Sequence, residues 1–238
     1  MDIFRRIFRA LLPVAGFALA VTLGGALRPE PIASAEPDPE AARLALRSRL
    51  AAAAPAMPAH TLELALRAWT KAVNDGLTRS SVLTVIDYSL PSTERRLWVF
   101  DVARGSVLFH ELVAHGKGTG DNIARAFSNR PGSNQSSFGT FLTGPTYRGK
   151  HGLSLRLRGL EPGVNHLAEA RAIVVHGAKY VSESVVQAMG RLGRSQGCPA
   201  VREEISGEII KTIKDGTVVF SYYPDQRWET TSPFLKAG

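Results

Sequence analysis

The sequence predicts an α+β fold in which strands dominate and helices lead. Two patterns carry this. Leu62, Ala65, Leu66, Trp69, Ala72 and Val73 recur at the three-then-four spacing of one helix face. From about residue 81 the apolar residues fall instead into short runs separated by turn residues, and no strand–helix alternation is long enough for a doubly wound sheet.

The elements run in order along the chain. Glu36-Pro37-Asp38-Pro39 is a polar, proline-rich linker. Glu40 to Ala54 is alanine-rich and helix-favouring, and Pro55 and Pro58 stop it. The periodic segment from Leu62 to Val73 is a second helix, with Gly76 as its terminator, and its expected role is to brace the domain after it. Val82 to Ile86 is a short strand. Leu97 to Val102 and Ser106 to Ala114 make a hairpin across Ala103-Arg104-Gly105. His115 to Asn122 and Ser128 to Ser137 are loops. Phe138 to Thr143 and the alternating Leu153 to Leu157 are strands, and Ala172 to Val175 is a buried strand ending at His176. Ser182 to Gly190 is a short helix. Arg202 to Lys214 is another, with Ile205, Ile209, Ile210 and Ile213 inward and Gly216 marking its end. Thr217 to Tyr223 is the last strand.

The N-terminus reads as an export signal. Arg5, Arg6 and Arg9 precede a largely apolar stretch from Leu11 to Leu27, and Ala33-Ser34-Ala35 offers small residues at a cleavage position. Pro13, Gly16, Gly24 and Gly25 interrupt that stretch, so cleavage after Ala35 is expected over a retained anchor. Transient membrane association through this N-terminal segment is the one membrane contact expected. The net charge of +8 suits anionic polymers or surfaces of a cell envelope. No zinc-module spacing or aromatic RNA-binding motif points to nucleic acid. With one cysteine there is no internal disulfide, so apolar burial must stabilise the fold.

That cysteine, Cys198, lies in Gly193-Arg194-Ser195-Gln196-Gly197-Cys198-Pro199-Ala200. An exported protein normally pairs its cysteines or avoids them, so a lone thiol in a glycine- and proline-bounded loop reads as a nucleophile rather than a core residue. A thiol needs a lowered pKa or an adjacent base. His176, 22 residues upstream, ends an apolar strand pattern and supplies that base. Pro199 suits the first turn of a helix, and coiling there would add unpaired N–H groups near a thiolate. Backbone N–H groups of Gly197 and Cys198, with Gln196, are candidates to hold a developing oxyanion, while Pro199 has none to give. Gly193-Arg194-Ser195-Gln196-Gly197 also matches a serine-hydrolase elbow, but no histidine comes after it and no apolar strand precedes it. The histidines show no metal-ligand spacing, so neither metal nor cofactor is expected.

His176-Gly177 with, downstream, Ser195-Gln196-Gly197-Cys198 resembles the active-site pattern of the L,D-transpeptidases, the YkuD-like family, and within it the murein L,D-transpeptidase catalytic-domain branch. Its wording recurs in order as Leu97 to Asp101, Ala114-His115-Gly116, Phe127-Ser128-Asn129, Ser136-Ser137-Phe138-Gly139, Gly149-Lys150-His151-Gly152 and Gly193 to Ala200. The resemblance spans about residues 80 to 225. It implies a sandwich- or barrel-like β catalytic domain and a ping-pong acyl transfer on peptidoglycan stem peptides in the periplasm or cell envelope. Cys198 would attack, His176 would serve as base and then acid, the Gly177 carbonyl would orient the imidazole, and Ser195 would shape the loop.

Two positions depart from the family pattern. Gln196 stands where a histidine is usual, and Ala200 where an arginine or asparagine is common, so carboxylate recognition must come from elsewhere. Arg194, His151 and Arg156 are the candidates. The resulting division is a signal peptide over 1–35, a helical lead over 36–79, a catalytic domain over 80–225 and a C-terminal tail over 226–238. The expected reaction is peptidoglycan cross-linking with D-alanine release. The rivals are an L,D-carboxypeptidase or cross-link hydrolase using the same site, and a catalytically silent wall-binding domain.

Overall fold

The computed structural model describes residues 38–236, so the leader and the cleavage position after Ala35 lie outside the described residues. Helix α1 spans Pro39–Ala53, opened by the Asp38 carboxylate accepting from the Glu40 N–H and closed ahead of Pro55. Helix α2 spans Ala59–Asn74 and buries the whole periodic stripe from Leu62 to Val73. Gly76, at φ +71°, turns the chain out of it while the Leu77 N–H returns to the Ala72 carbonyl.

Eight strands close into a barrel in the order β1-β2-β3-β7-β6-β5-β4-β8. They are β1 Val82–Asp87, β2 Arg95–Asp101, β3 Ser106–Ala114, β4 Gly139–Gly149, β5 Gly152–Gly159, β6 Val174–Ala178, β7 Ala200–Arg202 and β8 Val218–Tyr222. The β1·β8 and β6·β7 pairs are parallel and the others antiparallel. The three-residue β7 closes the ring on only Val113 and Ala114 of β3, so the rest of β3 is paired on the β2 side alone.

Strand alternation separates two faces. Leu97, Val99, Val113, Phe141, Leu155, Val175, Val201 and Val219 pack with Ile209, Ile210 and Ile213 of α4 (Glu203–Ile213) in one core. Leu83, Val85, Trp98, Phe100, Val218 and Phe220 point the other way, under Leu50 of α1 and Leu62 and Trp69 of α2. The helical lead therefore covers the outer faces of β1, β2 and β8. The outer face of β6 and β7, carrying His176 and Ala200, lies beyond that cover and borders the smaller cluster of Leu112, Ala114, Ala178, Val181 and Leu192. Helix α3 (Glu183–Met189), capped by Ser182, comes after β6.

Several elements differ from expectation. Strand β4 runs past Thr143 to Gly149, because the Gly144-Pro145 pair is absorbed by a register shift between Thr143 and Thr146 rather than ending the strand. The strand expected over Ala172–Val175 begins instead at Val174. Ala172 sits at φ +54°, and the Ile173 N–H bonds the Ala168 carbonyl of the preceding turn. His176 is consequently the middle residue of β6 and not its end. Strand β7 occupies Ala200–Arg202, so the chain after Cys198 is extended and α4 starts only at Glu203. Among the described residues no helix N-terminus follows directly on the thiol, which removes that expected stabilisation. Residues 226–231 form α5 (Gln226–Thr231), capped by Asp225, and its Trp228 is buried against Phe220 and Phe138. The Trp228 indole N–H and the Ser232 hydroxyl both donate to the buried Glu161 carboxylate, which also accepts from the Thr140 N–H.

Candidate active site

The loop carrying Cys198 is built from glycine contacts and serine hydrogen bonds. Ser195 pairs with the 115–117 segment: its N–H donates to the His115 carbonyl and its own carbonyl accepts from the Lys117 N–H at 2.8 Å. The Ser195 hydroxyl donates to the Cys198 carbonyl at 2.6 Å and accepts from the Gly197 N–H at 3.0 Å. Gly197 adopts φ +127°, where a side chain would strain the backbone, and a Cβ there would stand 2.8 Å from the Gln135 carbonyl oxygen. Gly116 packs equally close, since its Cβ would run into the Asn134 carbonyl. Ser136 ties the layers together, its hydroxyl accepting from the Gly116 N–H and donating to the Gly197 carbonyl.

Cys198 is half-buried, with Sγ 3.7 Å from the Ala172 carbonyl oxygen. Burial pushes its thiol pKa up; the Val174 N–H donating toward the sulfur, then Arg171 and Lys150, pull it down without reversing the shift. A lowered resting pKa, one of the two expected routes to a thiolate, is therefore not how this thiol stands.

His176 pairs with Ala200 across the parallel β6·β7 ladder. Val174, whose backbone N–H points at the sulfur, stands two residues before His176 in the same strand, a step of about 7 Å. The His176 ring is buried, with Nδ1 2.9 Å from the Gly177 carbonyl oxygen. That carbonyl can only accept, so Nδ1 carries the proton and Nε2 is left with a lone pair. Burial lowers the imidazole pKa; the Gly177 bond opposes this, and His151 and Lys150 add to the lowering. The ring is neutral at pH 7, the form a base requires.

The other candidates separate. His151, in the β4–β5 turn, stacks on His176 with ring centroids 4.4 Å apart. Arg156 of β5 pairs with Val174, on the same face as His176, and its guanidinium lies over the Tyr147 ring at 4.9 Å. Gln196 is exposed at the loop tip. Arg194 is turned away from the role suggested for it: its guanidinium bonds the Gly120 carbonyl at 3.1 Å and the Asp121 carboxylate at 2.8 Å, bracing the loop after His115. The Gly197 N–H likewise leaves the set of oxyanion donors, because Ser195 Oγ has taken it.

The structure adds residues that local sequence patterns did not single out. Arg171 and Lys150 bring positive charge to Cys198. Lys150 was legible only as the neighbour of His151, and nothing local marks Arg171. Beneath the loop lies a third group. Arg96, fully buried, donates to the Leu90 and Val113 carbonyls and to His115 Nδ1 at 2.8 Å, and sits 5.1 Å over the Tyr88 ring. His115 Nε2 donates to the Gly120 carbonyl, so both ring nitrogens are committed in the neutral form. Burial first, and then Arg96, hold the His115 pKa down at about 4.

That shift predicts a stability effect. The unfolded chain binds the imidazole proton near pH 6.5 and the folded chain only near 4, so the contribution is present above 6.5 and is lost as pH falls toward 4. Between pH 7 and pH 5 the folded state should lose about 2 kcal/mol from this residue. Urea unfolding of the wild type and of His115→Asn at both pH values tests it: equal losses in the two proteins would refute the assignment.

Among the described residues no three His, Cys, Asp or Glu side chains converge as metal ligands. No described helix is long and apolar enough to cross a membrane.

The family model for the L,D-transpeptidase catalytic domain matches residues 53–222. No curated protein sequence gave a match. Among solved structures, an L,D-transpeptidase from Mycobacterium smegmatis is 15% identical, with 60% of this chain and 59% of that chain covered at a TM-score of 0.38. L,D-transpeptidase 3 from Mycobacterium tuberculosis is 12% identical, covering 60% and 61% at 0.37. An L,D-transpeptidase from Xylanimonas cellulosilytica is 17% identical, covering 75% and 92% at 0.36. The chain spans about three fifths of the length of the first two.

Proposed function

This chain belongs to the L,D-transpeptidase catalytic-domain family, and on that premise we propose that it cross-links peptidoglycan stem peptides by acyl transfer through Cys198, with His176 as proton carrier. The observation that carries the reading is strand β6, whose Val174 N–H points at the half-buried sulfur and whose His176, two residues on, holds a neutral, oriented imidazole.

The resting pair is a thiol and a neutral imidazole, so the proton moves as substrate arrives. His176 Nε2 takes it from Sγ, and the sulfur attacks the carbonyl on the L-centre of the third stem residue. The C–N bond to the terminal D-alanine breaks, the imidazolium returns the proton to the leaving amine, and a thioester remains. The side-chain amine of a second stem then attacks the thioester, which restores the thiol and gives a three-to-three cross-link. Charge on the tetrahedral oxygen is assigned to the N–H groups of Cys198 and Gln196, since the Gly197 N–H is occupied. Arg156 takes over carboxylate recognition from Arg194; it has no carboxylate within ion-pair distance among the described residues and shares the His176 face. His151, stacked on His176, closes the same wall. Since the substrate is envelope peptidoglycan, export through the N-terminal leader is part of this reading.

Incubating purified protein with tetrapeptide muropeptides and reading the products by mass spectrometry tests it. Cross-linked dimers with released D-alanine are expected. Free tripeptides alone would replace transfer by hydrolysis, and unchanged muropeptides would overturn the enzymatic reading.

A further inference from the structure

Arg171 is a half-buried cation held entirely by neutral groups. Its guanidinium donates to the Ser128 and Gln135 carbonyls and to the Ser137 and Ser133 hydroxyls. Among the described residues no carboxylate lies within ion-pair distance of it. Four of its five N–H groups are thereby spent, which leaves no bidentate face for a substrate carboxylate but fixes the charge in place.

Its location gives that charge a target. The Gln135 carbonyl bonded by Arg171 is the one against which Gly197 packs. The residue after it, Ala172, supplies the carbonyl beside the sulfur. The guanidinium is thus tied to the backbone that packs on Gly197, and its own chain runs on directly to the carbonyl beside the sulfur. A fixed charge in a partly dry site acts with little solvent screening, unlike one at an exposed tip.

From this placement we infer that Arg171 is the built-in counter-charge of the Cys198 thiolate, filling electrostatically the place that Ala200 leaves without a cation. It is a positioning residue: it touches neither substrate nor sulfur, and acts by making the anion less costly when His176 withdraws the proton. The inference rests on Cys198 being the nucleophile. The other groups facing the sulfur cannot replace it. Tyr88 and Tyr180 are pushed up to about 12 by burial and stay neutral, and Lys150 is exposed in the β4–β5 turn.

The test is the pH dependence of Cys198 alkylation by iodoacetamide, tracked by intact mass in the full chain, with folding checked by circular dichroism. Arg171→Gln should raise the midpoint by about one pH unit, slowing alkylation about ten-fold near neutral pH. Arg171→Lys keeps the charge while losing the fork, and should stay within about three-fold of wild type. Ser133→Ala and Ser137→Ala loosen the same loop without altering charge and should leave the midpoint in place. If Arg171→Gln fails to fold, the lysine and serine variants carry the test. A lysine variant slowed ten-fold, or serine variants that shift the midpoint, would show that Arg171 only props the loop. A Lys150→Gln shift equal to that of Arg171→Gln would move the assignment to Lys150. The readout is separate from turnover: a midpoint that shifts as expected without any muropeptide product would sink the transpeptidase reading and leave the counter-charge standing.

Discussion

Cys198→Ala should abolish acyl transfer, lowering kcat/KM by about 10⁴-fold or more, since no second sulfur nucleophile exists in the chain to substitute for it. The side chain is half-buried and its polar contacts, the Ala172 carbonyl and the Val174 N–H, are weak ones to sulfur, so the unfolding temperature should move by only a few degrees. Muropeptide turnover and thermal melts on the same preparation separate the two effects. Retention of a tenth of wild-type turnover would end the nucleophile assignment. A carbapenem offers an independent readout: a covalent adduct on the wild type that is missing from the variant places the reactive atom directly.

The second large effect belongs to His176. His176→Asn should cost about 10²- to 10⁴-fold in kcat/KM, the usual range for a positioned proton carrier. The pH profile distinguishes a base from a packing residue. Below its pKa the imidazole is protonated and cannot accept, so the wild-type rate should fall on an acid limb; burial moves that limb below pH 6.5. In the variant the limb should vanish. Its residual rate should instead climb with pH as the thiol itself ionises, above the ordinary thiol value of 9.0 because burial has raised it. An unaltered acid limb in His176→Asn would assign the titration to another group and remove His176 from the mechanism.

Much of the fold was legible from local chemistry. The α2 stripe, the β2–β3 hairpin around Gly105 and the three isoleucines of α4 are periodic patterns whose partners lie within a few residues or on one face. What escaped depended on distant chain. Strand β7 is three residues long and exists only because β3 and β6 flank it. Strand β4 continues through Gly144-Pro145 because β5 tolerates a register shift there. Trp228, whose indole N–H anchors the Glu161 carboxylate from 67 residues away, could not be connected to it by any local spacing.

The site divides in the same way. A solitary cysteine in a glycine-bounded loop and a histidine in an apolar run named themselves, because the chemistry of a residue type and its immediate neighbours is written in the chain. Which nitrogen of His176 keeps its proton, whether the Gly197 N–H is spent, which arginine is tied to Asp121 and which stands beside the sulfur were decided by tertiary structure alone. Those are questions of field and hydrogen-bond competition across a few ångströms, and residues as far apart as 135, 171 and 198 meet only when the barrel closes.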